Sequence, residues 1–418
     1  MSGSEKPSKS MAAEAAVALP AGGKLPRVRL KAREEDRLLA GHLWVFSNEI
    51  SSVEGEAGAG SLAEVFSAGG RFLGCGFYHP RSLIAVRLLS RGPLSEGALD
   101  ELFRQRLGQA LARRESLFPG ESAYRWCFGE SDGLPGLVID RFGGVLVIEA
   151  LCAGIDARLD RLAAALGALA PISAIYLRNS HRMRALEGLS MEDRVLLGSA
   201  PEEVEIVHDG IRFKVALGRG QKTGYYFDQR ENRSFIRRYA RGRRVLDLYS
   251  YSGGFALNAA KFGALEVLGV ESSGEAVRLA RENAVLNGVD AKIRWVEGDS
   301  LEFLRGLKEG SADFKPDFIM MDPPNLCPSK KDLGRALRAY AAMNARALEA
   351  LAEGGLLATS SCSHHVSREL FVDMLRAAQA KAGRPTRIEA LRTQSPDHPI
   401  LLAMPETEYL HFALLAVV

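Results

Sequence analysis

Residues 245–271 read VLDLYSYSGGFALNAAKFGALEVLGVE. An apolar run of strand length turns through SGG into a helix-forming stretch and returns to a second apolar run that ends on an acid. This is one half of a nucleotide-binding α/β sheet. The alternation continues downstream. Strands are expected at VLDLY, EVLGVE, KIRWVEGD, DFIMMD and LLATSSCS, with helices near 253–262, 273–288, 300–307 and 333–352. A helix over 367–382 and strands near Arg387 and over 408–415 close the set. Such alternation predicts an α/β, mainly parallel, Rossmann-like sheet covered on both faces.

In an open α/β sheet, ligands sit at the carboxyl ends of the strands. Five strand ends carry polar groups here: Asp247 with the SGG turn, Glu271, Asp299, Asp322 and Cys362. The turn YSGGF is not GxGxxG. Its adjacent glycines let a ligand approach the backbone without a row of phosphate-cradling amides. An acid at the second strand end can accept both hydroxyls of a ribose, and one at the third can accept from an adenine amino group. Together they predict an adenosine ligand without pyrophosphate, S-adenosylmethionine (SAM). The competing reading is that Asp247 and Asp299 only cap the helices that follow. The expected donor pocket comprises Asp247, Tyr249, Ser252, Gly253, Gly254, Phe255, Glu271, Ser272, Asn283, Asp299, Ser300, Asp322 and Pro323.

The fourth strand runs into MDPPNLCPSK, where two prolines fix the backbone and present Asp322 rigidly to a planar heterocycle. Enzymes that methylate exocyclic amines place an aromatic residue next; Asn325 stands here and argues against that chemistry. Cys362, in TSSCS, faces the same pocket if the register holds. As a thiolate it could attack C6 of a pyrimidine and raise the electron density at C5, which then takes a methyl group. A strand cysteine is otherwise an ordinary small core residue. Cys327 does not follow the prolines directly and is read as a bystander. His364 and His365 lack a third ligand at metal spacing, so no metal is expected.

The chain has 418 residues, 47% of them apolar, enough for several domains. No apolar run approaches the roughly 20 residues of a membrane helix. Five scattered cysteines (Cys75, Cys127, Cys152, Cys327, Cys362) argue against a disulfide framework and for a reducing, cytoplasmic compartment. The net charge of +3 permits a polyanionic partner without demanding one. Residues 1–26, rich in Ala, Ser, Gly and Lys, read as a disordered tail. Short strand-like runs over 27–97 suggest a small β-barrel, and within it KAREEDRLLAGHLWVFSNEI resembles the opening of a PUA domain, an RNA-binding barrel. A structural accessory domain with a buried Trp44 is the alternative. Residues 98–208 read as an α+β middle domain, with a helix over 99–117, a helical run over 153–169, and strands EVEIVH and IRFKVAL split by Asp209 and Gly210. The sheet domain is placed at 209–418. It opens with a glycine-rich loop and a helix capped by Asp228, which ends in Arg237, Arg238, Arg241, Arg243 and Arg244. That cluster is either a solvated face or a phosphate contact.

Together GQKTGYYFDQRENR, LDLYSYSGGF, MDPPNLCPSK, TSSCS and PDHPILLAMPETEYL resemble the RlmI-type 23S ribosomal RNA cytosine-5 methyltransferases. GESDGLPGLVIDRFGG and the barrel-like start extend the likeness over nearly everything after residue 26. The resemblance implies a PUA barrel, an α+β middle domain and a class I methyltransferase domain. It implies Cys362 as nucleophile, Asp322 as a hold on the cytosine, and a YYFDQRENR segment that closes over the donor through Tyr226, Asp228, Gln229 and Arg230. Asn325 and Leu326 depart from the usual Lys or Ala followed by Phe. The base that removes the C5 proton is unassigned among Glu406, Glu408 and His411. The expected protein is a cytoplasmic, SAM-dependent enzyme with an RNA partner in the large ribosomal subunit, no membrane association, and a homodimer as an open expectation. The alternatives are methylation of uracil C5 or guanine N7, and an inactive SAM-binding RNA assembly factor. A dinucleotide oxidoreductase is disfavoured by the missing GxGxxG.

Overall fold

The computed structural model describes residues 24–217 and 223–418. Most of the tail and the glycine-rich part of the linking loop, 218–222, lie outside the described residues.

The carboxyl-terminal half forms a seven-stranded sheet from β1 (Arg244–Leu248), β2 (Glu266–Glu271), β3 (Ile293–Glu297), β4 (Phe318–Met321), β5 (Leu356–Ser361), β6 (Thr386–Thr393) and β7 (His411–Val417). Its order is β3-β2-β1-β4-β5-β7-β6. The first five strands are parallel, and β7 enters antiparallel between β5 and β6. Chain direction across the sheet reverses between β1 and β4, so a crevice opens at their carboxyl ends.

The helices are α1 (Arg230–Ala240), α2 (Gly254–Lys261), α3 (Gly274–Leu286), α4 (Ser300–Glu309), α5 (Leu333–Glu349) and α6 (Arg368–Ala382). Successive strand residues point to opposite faces, which divides the core in two. Val245, Val267 and Phe318 pack with Ile236 of α1 and Leu257 of α2. Leu246, Leu268 and Ile319 pack with Leu304, Met343 and Leu375 of α4, α5 and α6. Ser273 and Ser367 cap α3 and α6 through their side chains, in the sequence positions expected of N-caps.

Two further sheets precede this one. Six strands between Arg27 and Ser90 form the first, and five between Ala123 and Gly198 form the second, with the helix Leu99–Leu117 between them. A hairpin, Glu203–His208 with Ile211–Ala216, turns through Asp209 and Gly210, both at positive φ. A domain boundary at 208/209 would cut this hairpin at its turn. The hairpin instead docks on α3, where Lys214 N donates to Asn283 Oδ1 at 2.7 Å and Asn287 Nδ2 donates to the Arg212 carbonyl at 2.7 Å.

Three local expectations are corrected. Trp44 is half-buried, not a core residue; its Nε1 donates to Glu130 of the second sheet layer at 2.8 Å. The run 153–169 breaks at Arg158, whose buried guanidinium reaches Glu96, giving helices Ala153–Asp156 and Leu159–Leu169. Asp228 does not cap α1, which starts from a 3-10 turn at Phe227–Gln229 without a side-chain cap.

Candidate active site

The crevice is built differently on its two sides. On the β1–β3 side each carboxylate grips backbone. Asp247 accepts from Ala256 N at 2.9 Å, Glu271 accepts from Tyr251 N and Ser273 N at 2.9 Å each, and Asp299 accepts from Leu301 N and Glu302 N at 2.8 and 2.9 Å. Asp247 and Asp299 therefore do serve the helices that follow them, as the capping alternative requires. Glu271 spans two loops, which capping does not explain. Tyr249 and Tyr251 lie at positive φ, +59° and +49°, a conformation that costs energy for non-glycine residues. Gly253 is at +89°, and a Cβ there would come within 2.8 Å of the Trp295 ring. The SGG turn is thus fixed in shape by steric necessity. Burial pushes the Asp247 carboxyl up to about 8, against the lowering effect of the Ala256 N–H; Asp322 adds to the rise and Arg233 opposes it.

On the β4–β5 side, side chains from distant segments grip one another. Gln229 Nε2 donates to Asp322 Oδ1 and to Ser360 Oγ, both at 3.0 Å. Gln229 Oε1 accepts from Asn232 Nδ2 at 2.7 Å, and Asn232 Oδ1 accepts from Arg392 Nε at 3.0 Å. Because a guanidinium only donates, both amides in this chain are oriented, and the last N–H must face Asp322. Asp228 accepts the Tyr409 hydroxyl at 2.7 Å, and Tyr409 stacks on His364 with centroids 5.0 Å apart. Asn325 Oδ1 accepts from Ser363 Oγ and Cys327 N, both at 2.8 Å, while Tyr340 bonds Ser363 and the Pro324 carbonyl.

Cys362 follows β5 directly and is partly exposed, whereas the other four cysteines are buried. Burial raises the pKa of Tyr226, Tyr340 and Tyr409, and a charge on Cys362 adds to each rise. Tyr226 packs edge-on against Tyr251 of the first loop at 5.3 Å, so the two sides of the crevice meet there. Cys327 lies in the core beside Tyr340 and Met343, where burial raises its thiol pKa.

Several expected contacts are directed elsewhere. Arg230 pairs with Glu121, donates to the Ala123 carbonyl at 3.3 Å and sits 3.8 Å over the Phe118 ring. As the first residue of α1 it points to the second sheet and away from the donor side. Asn283 is spent on Lys214 and on the Ser252 carbonyl, which it meets at 3.2 Å; it supports the SGG turn from behind. Glu406 pairs with His42, which holds its carboxyl below the usual range, Glu408 pairs with Arg368, and the His411 ring bonds the Val366 carbonyl. Glu406 and Glu408 are thus committed to structural partners, whereas His411 bonds through Nε2 and its Nδ1 has no hydrogen-bond partner.

Residues 133–384 match the family model of S-adenosylmethionine-dependent methyltransferases, and residues 28–91 match that of PUA-like domains. The chain is 38% identical over 388 residues to ribosomal RNA large subunit methyltransferase I of Escherichia coli O157:H7, covering 92% of this chain and 97% of the relative. The chain belongs to this methyltransferase family. The same protein from Shigella boydii serotype 18 matches at the same identity and coverage. A SAM-dependent methyltransferase from Streptococcus mutans superposes with a TM-score of 0.80 at 20% identity, over 94% of this chain and 100% of that one. A methyltransferase complexed with S-adenosylhomocysteine superposes at 0.81, also at 20% identity and with the same coverage; at this identity these two likenesses speak for the fold alone. A class I methyltransferase sheet behind a PUA-like domain is thus the architecture, and SAM is the cofactor.

The donor side fits SAM. Buried Asp247 and Glu271, a turn held open by two glycines, and the Tyr226–Tyr251 pair supply acceptors and apolar walls to a nucleoside and its cationic tail. Sequence reading missed Arg392 and Tyr340, which belong to no local motif, and passed over Asn232 and Tyr409, which lie inside quoted motifs but act on partners far along the chain.

Proposed function

We propose that this methyltransferase modifies C5 of a cytosine in large-subunit ribosomal RNA, with Cys362 as nucleophile. The observation that carries the reading is the juxtaposition of Asp322 and Cys362 at the ends of paired strands, with Gln229 bridging Asp322 to Ser360 of the cysteine's own strand. The names of the relatives support the RNA target, and the PUA-like segment at 28–91 supports a separate RNA contact. The free cysteines support a reducing, cytoplasmic setting. We divide the chain into a barrel at 27–97, a middle domain from 98, and a methyltransferase domain that takes in the hairpin beginning at Glu203.

In this mechanism the Cys362 thiolate forms a bond to C6, and the ring electrons move to C5. Bound SAM supplies an electrophilic methyl group. Asp322, oriented by Gln229, receives the polar edge of the base and holds the ring in one plane with the sulfur. Once C5 carries the methyl group its proton passes to water, the C5–H electron pair re-forms the C5–C6 double bond, and the S–C6 pair returns to Cys362 as the thiolate. The target base must be unstacked, since a stacked pyrimidine hides its C6 face.

Labelled SAM with unmodified ribosomal RNA, followed by bisulfite mapping, tests the target: a single protected cytosine is expected. Cys362→Ala should cut transfer by on the order of a thousandfold or more while S-adenosylhomocysteine still binds. Full transfer by that variant would favour guanine N7, which needs no thiol, and no transfer by the native chain would favour an RNA assembly factor.

A further inference from the structure

Seven arginines are buried among the described residues. Six of them meet a carboxylate: Arg87 with Glu130, Arg114 with Asp132, Arg125 with Asp140, Arg158 with Glu96, Arg184 with Asp156 and Arg230 with Glu121. Arg233 does not. It is 6% exposed, and its Nε and Nη1 have no hydrogen-bond partner. A buried guanidinium that meets no carboxylate is costly to a protein, and aromatic faces offset only part of that cost. The guanidinium lies between the rings of Tyr225, 4.7 Å away, and Phe255, 5.9 Å away. It also presses on Gly254, the first residue of α2, where a Cβ would come within 2.6 Å of its Nε. The start of an eight-residue helix carries partial positive charge of its own. Two positive ends thus face the same space beside the SGG turn. The nearby carboxyl, Asp247, already takes the Ala256 N–H, and its burial favours the neutral form, so it offers little counter-charge.

We propose that Arg233 and the start of α2 together receive the α-carboxylate of the methyl donor. An amino-acid carboxylate is planar and bidentate, matches a guanidinium fork, and is an anion suited to a helix N-terminus. The bound donor completes the ion pair that every other buried arginine makes within the chain. The spacing in α1 fits this division: Arg230 ties the helix to the second sheet, and Arg233, one turn on along the same face, reaches the start of α2.

The inference rests on SAM as donor and not on the cytosine target, so it is tested without RNA. Titration calorimetry on the full chain compares S-adenosylhomocysteine with 5′-methylthioadenosine, which has the same nucleoside and no amino-acid end. Arg233→Gln should weaken S-adenosylhomocysteine by roughly 10- to 100-fold, the span of one charge-assisted hydrogen bond. It should leave 5′-methylthioadenosine unchanged, which also shows that the variant is folded. Arg233→Lys should recover part of the loss. Equal weakening of both ligands, or unchanged S-adenosylhomocysteine binding, would overturn the proposal. Should Arg233→Gln not fold, the native chain is titrated with the methyl ester of S-adenosylhomocysteine. A loss of similar size supports the carboxylate contact, and undiminished affinity refutes it.

Discussion

The ends of β1–β3 and the ends of β4–β5 hold their polar groups in opposite ways. On the first side a carboxylate meets backbone N–H groups a few residues away in the same or the next loop, as in Asp247 with Ala256 or Asp299 with Leu301. On the second, the main ties join side chains far apart in sequence: Gln229 to Asp322 across 93 residues, Gln229 to Ser360 across 131, and Tyr409 to Asp228 across 181. The donor side is therefore set once β1 to β3 and their helices pack. The acceptor side exists only when the whole chain has folded. Backbone-held groups tolerate change in distant residues, whereas a side-chain network fails wherever one member is lost.

The largest expected break in that contrast comes from Gln229→Glu. The variant keeps the size of the side chain but turns a donor toward Asp322 into a second carboxylate, so like charges meet at about 3 Å. Asp322 must rotate or take up a proton. We expect turnover to fall about 100-fold, the usual cost of a misplaced catalytic contact, with S-adenosylhomocysteine affinity nearly unchanged, as read by single-turnover kinetics and calorimetry. A parallel loss of donor affinity would mean that Gln229 belongs to the donor side after all.

Asp247 gives a smaller effect, from the other side. Burial raises its pKa from 3.8 to about 8, so the folded chain keeps a proton that the unfolded chain sheds above pH 4. Its contribution to stability is complete below pH 4 and is lost as pH climbs toward 8, with a slope of at most about 1.4 kcal/mol per pH unit. Asp247→Asn should flatten that slope between pH 5 and 7.5 in denaturant titrations. Identical slopes in the two proteins would show that the carboxylate is already ionised.

The same contrast explains what could be read in the sequence. The α/β alternation, the SGG turn and the strand-end acids are local patterns, and each emerged with its neighbours because the forces that fix it act within one loop. The assignment of SAM rested on those acids and stands with the family. Arg230 was misread because a helix start is visible in sequence but its rotation is not; that face is set by Glu121 and Phe118, more than 100 residues upstream. Glu406 went astray similarly, since nothing in PETEYL announces that His42 of the first sheet lies opposite. Asn232 lies inside YYFDQRENR yet drew no role, and Arg392 belongs to no motif. They matter through an oriented chain of amides whose members lie 160 residues apart.

Asn325 offers the mildest test of how the acceptor side is held. It occupies the place after Asp-Pro-Pro where an aromatic residue would stack on an amino-bearing base, yet its oxygen turns inward to Ser363 and Cys327 N. Ser363 in turn lies 2.9 Å from the Tyr340 hydroxyl, which is also within reach of the Pro324 carbonyl. Asn325 thereby ties the loop after β4 to the residue next to Cys362, and its role is to fix the spacing between the two halves of the acceptor site. Asn325→Ala removes one acceptor, but water can reach this exposed position, so the cost is that of a single solvent-accessible hydrogen bond, about 1 kcal/mol. Turnover should fall about fivefold, and Asn325→Asp, which keeps an acceptor in the same place, should restore most of it. If Asp is as poor as Ala, the amide nitrogen is the working group and Asn325 contacts the base directly.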